Sequence, residues 1–211
     1  MLNRSEIKEI FERLKQENPA PTSELIARNN FTFAVAVLLS AQTTDKMVNK
    51  VTKTLFEIAD TPEKMLAIGI DKLKEYVHPL GFFNNKAKNV IALSETLVKK
   101  YNSQIPKTRD ELEKLPGIGR KSANVIANRL FGASTIAVDT HVLRVSQRLG
   151  LSKATEPIGI ERDLLANVPE KYHKNTSDWL VLHGRYVCTA QKPKCSDCCL
   201  FDLCEKINGK G

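Results

Sequence analysis

The sequence predicts an all-α protein, and three of its features support that prediction. Apolar residues recur at spacings of three and four along most of the chain, which is the periodicity of one helix face. Glycine and proline interrupt this pattern at short intervals and mark helix ends. Alternating β-branched runs beside Asn-Gly or Asp-Gly turns are missing from the sequence, so no strand is predicted.

The predicted helices follow one another with short loops between them. The first helix carries Ile7, Ile10, Phe11 and Leu14 and ends before Pro19, because proline lacks the amide that a helix needs. A loop over residues 18–23 comes next. Further helices are expected at residues 33–40, 48–56, 65–68, 73–77, 87–98 and 120–131, and after residue 139.

Composition excludes several classes of protein. Of the 211 residues, 42% are hydrophobic and 27% are charged, which is typical of a folded globular protein. The longest apolar run, residues 33–39, is far shorter than the roughly 20 residues that a bilayer span needs. The N-terminus turns charged at once, without the apolar stretch of a secretory signal. We therefore expect a cytoplasmic protein with no membrane segment.

The charge balance points to a polyanionic partner. Lysine and arginine number 32 against 24 acidic residues, which gives a net charge of +8. Such a surplus creates a field that attracts nucleic acid. A basic surface that only keeps the protein in solution is equally compatible with the charge alone.

A glycine hairpin between two short helices predicts phosphate binding. Residues 108–111 fit a capping box, in which Thr108 accepts from the amide of Glu111 and the Glu111 carboxylate reaches back. Residues 115–119, Leu-Pro-Gly-Ile-Gly, then interrupt the helical pattern. Gly117 and Gly119 permit conformations closed to other residues, so the hairpin can present amides to a phosphate at the next helix N-terminus. An ordinary helix-helix turn is the alternative.

Two residues after this hairpin are candidates for chemistry. Lys121 lies in the first turn of the next helix, whose positive end disfavours an ammonium and favours a nucleophilic amine. A phosphate-binding or solvated lysine is the common alternative. Asp139 stands between an apolar stretch and a new helix, which it can cap. The same carboxylate can stabilise positive charge on a sugar or assist proton transfer.

All five cysteines lie between residues 188 and 204, which argues against a disulfide framework and for metal ligation. Cys188, Cys195, Cys198 and Cys204 are separated by six, two and five residues, so four thiolates can converge on one inorganic centre. Zinc and an iron-sulfur cluster both fit this spacing.

Residues 115–121, Leu-Pro-Gly-Ile-Gly-Arg-Lys, resemble the helix-hairpin-helix of DNA repair glycosylases. Together with the later Val-Asp-Thr-His at 138–141, they resemble the endonuclease III branch of that superfamily. The resemblance implies that Lys121 is the nucleophile and Asp139 the catalytic aspartate. It further implies a bifunctional DNA glycosylase and abasic-site lyase that removes oxidised pyrimidines from duplex DNA and cleaves by β-elimination through a Schiff base.

The resemblance also implies roles for residues that contact DNA. Residues 38–45 resemble the segment whose glutamine, here Gln42, occupies the space left by an extruded base. A glutamine that only ends a helix is the alternative for Gln42. Residues 81–86 resemble a second intercalating loop, where this chain has Phe82 in place of the common aliphatic wedge. Phe82 as a core residue is the alternative.

The hairpin, through Leu115, Gly117 and Gly119, would bind the backbone without reading sequence. Lys192, in a basic segment tethered by cysteines at both ends, suits a second phosphate contact.

The cysteine spacing matches the [4Fe-4S] loop of the endonuclease III family, which favours an iron-sulfur cluster held by Cys188, Cys195, Cys198 and Cys204. Cys199 is surplus to that pattern and is interpreted as a small buried apolar residue, with a mispaired ligand as the alternative. The cluster would order the C-terminal tail, a structural role that needs no redox chemistry.

The resemblance covers nearly the whole chain and implies two helical lobes with a DNA-binding cleft between them. The central lobe spans residues 24–133 and contains the helix-hairpin-helix at about 108–131, and the cluster lobe joins residues 1–23 to 134–211. We expect a monomer on double-stranded DNA, associated with the nucleoid. A non-catalytic DNA-binding protein and a monofunctional glycosylase that activates water are the alternatives.

Overall fold

A computed structural model describes residues 2–21 and 24–208 of the chain, the last of these without its side chain. Helices dominate this part of the protein, three short 3₁₀ turns accompany them, and no strand occurs in it, so the all-α prediction is confirmed. The helices are α1 (Arg4–Glu17), α2 (Asn30–Leu39), α3 (Asp45–Ile58), α4 (Pro62–Val77), α5 (Phe83–Lys100), α6 (Arg109–Leu112), α7 (Arg120–Phe131), α8 (Thr140–Leu149), α9 (Pro157–Asn167), α10 (His173–Tyr186) and α11 (Glu205–Asn208).

Several helix boundaries differ from the predicted ones, for local reasons. Helix α2 begins at Asn30 because the Asn29 side chain accepts from the Thr32 amide and caps the helix. The two helices predicted at 65–68 and 73–77 are parts of α4, which is kinked at Gly69, where φ is 73°. Helix α5 begins at Phe83, four residues before the predicted start. Residues 22–23 of the predicted loop and lobe boundary lie outside the described residues.

The chain divides into two compact units, the central unit (Ser23–Phe131) and the terminal unit (Met1–Thr22 with Gly132–Gly211). The core of the central unit is built around α2, whose residues 31–39 are all buried. A helix that is apolar on every side is stable only when other helices surround it. Here α3, α5 and α7 pack against it.

The terminal unit joins the two ends of the chain around a second core. Helices α8 and α10 pack closely, because a Cβ atom at Gly184 would lie 3.0 Å from both His141 Cβ and Val145 Cγ2. Phe11 of α1 contacts Tyr172 and Trp179 with ring centroids 5.7 and 6.2 Å apart. These contacts attach the N-terminal helix to the C-terminal segment.

Across the two described stretches, no helix is long and apolar enough to cross a membrane.

Candidate functional site

The predicted hairpin is present in the central unit, between α6 and α7. The Glu111 amide donates to Thr108 Oγ1 at 3.3 Å, which confirms the predicted cap. The Glu111 carboxylate reaches back to the Thr108 hydroxyl, which donates to Oε2 at 2.7 Å. The loop then tightens through a bond from the Ile118 amide to the Leu115 carbonyl oxygen at 3.1 Å.

The two hairpin glycines have different surroundings. Gly117 has φ of 75°, and a Cβ atom there would lie 2.8 Å from Leu38 Cδ1 and 2.9 Å from Asn89 Cβ. Nothing lies within 4 Å of a Cβ built at Gly119, which is exposed. The first glycine therefore lets the hairpin pack on α2 and α5, and the second leaves its backbone open to a ligand. Leu115 is buried, so a contact with DNA there would use its backbone.

Lys121 lies in the first turn of α7 with its side chain exposed. The hairpin fixes the start of this helix, because the Ala123 amide donates to the Gly119 carbonyl oxygen at 2.9 Å. A lysine at this position presents its amine to solvent beside open backbone at Gly119. The amine is therefore accessible to a ligand that binds at the hairpin backbone.

Asp139 is the N-cap of α8 in the terminal unit, as predicted. Its Oδ1 accepts from the His141 amide at 2.8 Å and from the Val142 amide at 2.9 Å. The residue is half-buried and follows the buried segment 136–138. The two hydrogen bonds from backbone amides hold the carboxyl group in one orientation.

The segment before Asp139 is held by contacts that the sequence did not reveal. The Ala137 amide donates to Ser177 Oγ at 2.8 Å. His173 Nε2 lies 2.8 Å from the Val168 carbonyl oxygen, so it must donate, and Nδ1 accepts from the Ser134 hydroxyl at 2.6 Å. The bonds to Ser177 and from Ser134 span 40 and 39 positions in sequence, so no local pattern indicates them.

Gln42 and Phe82 occupy exposed loops of the central unit, and both have left-handed backbone conformations, with φ of 53° and 57°. Phe82 is 66% exposed, so its interpretation as a core residue is wrong. A left-handed conformation is unusual for a bulky residue and costs on the order of 1–3 kcal/mol. Such conformations are concentrated at functional sites.

Lys86 is a polar residue of this region that the sequence analysis missed. It is only 5% exposed, and its Nζ donates to Thr43 Oγ1 at 2.6 Å. Burial lowers the pKa of Lys86 below its ordinary value. The signal was available, because Lys86 is spaced with Val90, Leu93 and Leu97 along the buried face of α5.

The cysteine loop of the terminal unit offers a chemically suitable donor set. Burial raises the pKa of the Cys198 thiol, and so does the proximity of Cys188, Cys204 and Cys195. The four sulfur atoms therefore share one environment. Within the described part of the chain, no three His, Cys, Asp or Glu side chains are arranged to hold a single metal ion. Cysteine thiolates are the ligands that iron-sulfur clusters take in proteins, so the donor set of this loop fits such a cluster.

Arg148 of α8 holds the first part of this loop and was not predicted. Its Nη1 lies 3.4 Å from Cys188 Sγ and donates to the Thr189 carbonyl oxygen at 2.7 Å, while Nη2 donates to the Ala190 carbonyl oxygen at 2.9 Å. The three contacts fix the backbone and the sulfur of the first ligand candidate relative to α8. They also orient the ligand, as contacts around a metal site generally do.

Cys199 has different neighbours from the other four cysteines. It lines a cavity of about 170 Å³ together with Leu14 and Trp179. Burial raises the pKa of its thiol to about 11. Lys192 lies in the loop between the first two ligand candidates, with its side chain exposed and its carbonyl oxygen accepting from the Thr189 hydroxyl at 2.7 Å.

Two family models match the chain. Residues 35–170 match the HhH-GPD superfamily base excision DNA repair protein, and residues 188–204 match the iron-sulfur binding domain of endonuclease III. The second match spans all five cysteines.

Full-length relatives agree with these matches. Endonuclease III of Treponema pallidum is 49% identical over 208 residues, which cover 99% of each chain. Endonuclease III of Haemophilus influenzae is 46% identical over 204 residues, which cover 97% of each chain.

Solved structures share the fold. A trapped covalent intermediate of endonuclease III with DNA has a TM-score of 0.93 and 41% identity, and covers 100% of this chain and 99% of its own. A thermostable thymine-DNA glycosylase, at 18% identity and a TM-score of 0.85 over 97% of this chain and 98% of its own, shows likeness of fold alone.

Proposed function

The chain belongs to the endonuclease III branch of the HhH-GPD base-excision repair superfamily, and on that premise we propose residue roles and a class of lesion. The protein is a DNA base-excision repair enzyme with glycosylase and abasic-site lyase activities, and it acts on DNA. It carries a [4Fe-4S] cluster. The proposal concerns which residues perform these functions and which bases are removed.

Lys121 is the proposed nucleophile. Its amine bonds to C1′ of the damaged nucleotide while the bond from C1′ to the base breaks, and the base leaves with the bonding electrons and takes up a proton. The attached amine loses one proton, and the C1′–O4′ bond then breaks with its electrons and the remaining amine proton passing to O4′, which leaves a Schiff base at C1′. Removal of a C2′ proton then expels the 3′ phosphate by β-elimination, which cleaves the strand.

The observation that carries this role is the placement of an exposed lysine in the first turn of α7, directly after the hairpin. Asp139 is proposed to stabilise the positive charge that develops on the sugar and to assist proton transfer. Two hydrogen bonds from backbone amides hold the Asp139 carboxyl group in a half-buried position. Electrostatic interactions there are stronger than in water.

The proposed DNA contacts separate by function. The hairpin at Leu115, Gly117 and Gly119 binds phosphates through its backbone, so binding is weakly sequence-selective and strongly salt-dependent. Gln42 fills the space of the extruded base, and the exposed Phe82 wedges into the stack. Lys192 adds a phosphate contact on the cysteine loop.

The cysteine loop has a structural role in this proposal. Cys188, Cys195, Cys198 and Cys204 are the proposed ligands, and the bound cluster supplies the bonds that order the loop. Arg148 supports the loop at its first ligand through Cys188 Sγ and two carbonyl oxygens. Lys192 is then displayed from an ordered loop.

We further infer that the substrate bases are oxidised pyrimidines in double-stranded DNA and that the enzyme works as a monomer. Because the substrate is DNA, we infer that the enzyme works in the cytoplasm in association with the nucleoid.

The test separates base release from strand cleavage on duplex DNA that contains one oxidised pyrimidine. The wild type is expected to release the base and cut the strand, whereas Lys121→Gln does neither at an appreciable rate. Lys114→Gln, which removes the charge of an exposed lysine just before the hairpin, is the matched control. It is expected to release the base and cut the strand, with at most weaker binding to DNA.

Two outcomes would contradict the proposal. Strand cleavage by Lys121→Gln at the wild-type rate would remove Lys121 from the mechanism. Base release by the wild type without strand cleavage would identify a monofunctional glycosylase that activates water.

A further inference from the structure

A buried amine joins the two exposed loops that carry Gln42 and Phe82. Lys86 reaches from α5 to the first loop through its side chain, with Nζ 2.6 Å from Thr43 Oγ1. Its amide makes the first helical bond of α5, to the carbonyl oxygen of the N-cap Phe82 at 3.1 Å, so Lys86 lies one turn after Phe82. One residue therefore contacts both loops.

The bond between Lys86 and Thr43 has a defined direction. The Thr43 hydroxyl donates its single hydrogen to the Ala41 carbonyl oxygen at 3.4 Å. Its lone pairs are then available to the Lys86 amine, which donates. A second contact, from the Thr43 amide to the Ser40 carbonyl oxygen at 3.1 Å, closes the turn. The Thr43 hydroxyl thus connects Thr43 to Ala41, the two residues that flank Gln42.

This arrangement explains how an exposed Gln42 keeps an unfavourable conformation. Its φ of 53° lies in the left-handed region, which a glutamine leaves readily unless its neighbours are fixed. Thr43 is fixed by an amine that burial has removed from water, and such charge-assisted bonds are stronger than those between neutral groups. Lys86 therefore bonds the residue that directly follows the left-handed Gln42.

We propose that Lys86 and Thr43 are positioning residues that hold the Gln42 and Phe82 loops in one register for insertion into the duplex. This inference rests on the proposed function of Gln42 and Phe82. It adds that the loops act together because the buried lysine one turn after Phe82 is bonded through its amine to the loop that carries Gln42. Neither residue touches the reacting atoms, so their effect is on extrusion of the base and not on the chemical steps.

The test compares single-turnover excision of the same oxidised pyrimidine from duplex and from single-stranded DNA. Only the duplex requires the base to be unpaired and its space to be filled. Thr43→Val, which keeps the shape and removes the acceptor, is expected to lower the ratio of duplex to single-strand rates about tenfold, as for loss of one charge-assisted hydrogen bond. Thr43→Ser restores the acceptor and should restore the ratio.

A double variant keeps the proposal testable if Thr43→Val folds poorly because it leaves a buried amine without its acceptor. Thr43→Val with Lys86→Met removes both partners and the buried charge, and it is expected to recover stability while the ratio stays low. Thermal unfolding of each variant measures the stability separately.

The outcomes distinguish this inference from the function on which it rests. A low ratio in Gln42→Ala with a normal ratio in Thr43→Val would overturn the positioning role and leave the function of Gln42 intact. A normal ratio in Gln42→Ala would reject that function itself. Equal losses on duplex and single strand in Thr43→Val would indicate a general structural role and would also overturn the inference.

Discussion

Gly117 in the hairpin lies against Leu38 of α2 so closely that a Cβ atom on the glycine would be 2.8 Å from the Cδ1 atom of the leucine. The hairpin is thereby fixed to the most buried helix of the central unit. The position of its backbone is set by the core, which is how a rigid scaffold gives precision to a binding loop.

Gly117→Ala is expected to destabilise the protein by about 2–4 kcal/mol, because it combines a positive φ with overlap at Leu38 and Asn89. Gly119→Ala is the matched control for folding, since its Cβ meets nothing within 4 Å. It should fold normally and bind DNA more weakly, because the new methyl group obstructs the phosphate. Urea unfolding and DNA titrations measure both effects. Equal stability losses in the two variants would contradict this account of the hairpin.

Asp139 allows its capping role to be separated from its charge. Asparagine is as good an N-cap as aspartate, so Asp139→Asn should keep the stability within about 0.5 kcal/mol while excision slows by roughly 10²–10⁴-fold. Asp139→Ala should lose both the activity and about 1 kcal/mol of stability. Near-normal excision by a stable Asp139→Asn would show that Asp139 only caps α8.

Two adjacent cysteines of the loop, Cys198 and Cys199, are expected to differ in their importance for cluster binding. Cys198 shares its environment with three other thiols, whereas Cys199 lines a cavity with Leu14 and Trp179. Cys198→Ala is therefore expected to lose iron and the visible absorbance of the cluster, and Cys199→Ala to keep both. Iron analysis of the purified variants decides the assignment. Iron loss in Cys199→Ala with retention of iron in Cys198→Ala would contradict the assignment and identify Cys199 as the cluster ligand.

The environment of Tyr172 leads us to expect that the stability of the fold depends on pH in the alkaline range. Its hydroxyl donates to Glu12 Oε1, and burial together with this bond raises the pKa of Tyr172 above its ordinary value of 10. A raised pKa in the folded state gives stability that is fully present below pH 10 and is lost as the pH rises through the folded pKa. Tyr172→Phe should therefore be less stable than the wild type at neutral pH, by a difference that shrinks above pH 10.

Urea unfolding of the wild type and of Tyr172→Phe across the alkaline range measures this difference in stability. A stability difference for Tyr172→Phe that grows with pH would reverse the sign and refute the assignment.

The sequence revealed the features that depend on neighbouring residues. The helical periodicity of α1, the cap at Asp139 and the hairpin glycines all follow from residues a few positions apart. The spacing of the cysteines is likewise local, and it indicates an inorganic centre without knowledge of the fold.

Long-range contacts could not be obtained in the same way. The bond from Lys86 to Thr43 spans 43 positions, and the bond from Ser134 to His173 spans 39. The exposure of Phe82 was equally hidden, because an aromatic residue beside a helix start is compatible with core or surface until the packing is known. Tertiary packing, and not local preference, decided these cases.

The measurement that tests the central claim most directly is borohydride trapping on duplex DNA that contains an oxidised pyrimidine. Reduction of a Schiff base links the enzyme covalently to the DNA, so the adduct reports both lesion recognition and the lysine mechanism. The account predicts an adduct with the wild type and with Lys114→Gln, and none with Lys121→Gln. An adduct of undiminished yield with Lys121→Gln, or none with a wild type that retains its cluster and binds DNA, would contradict it.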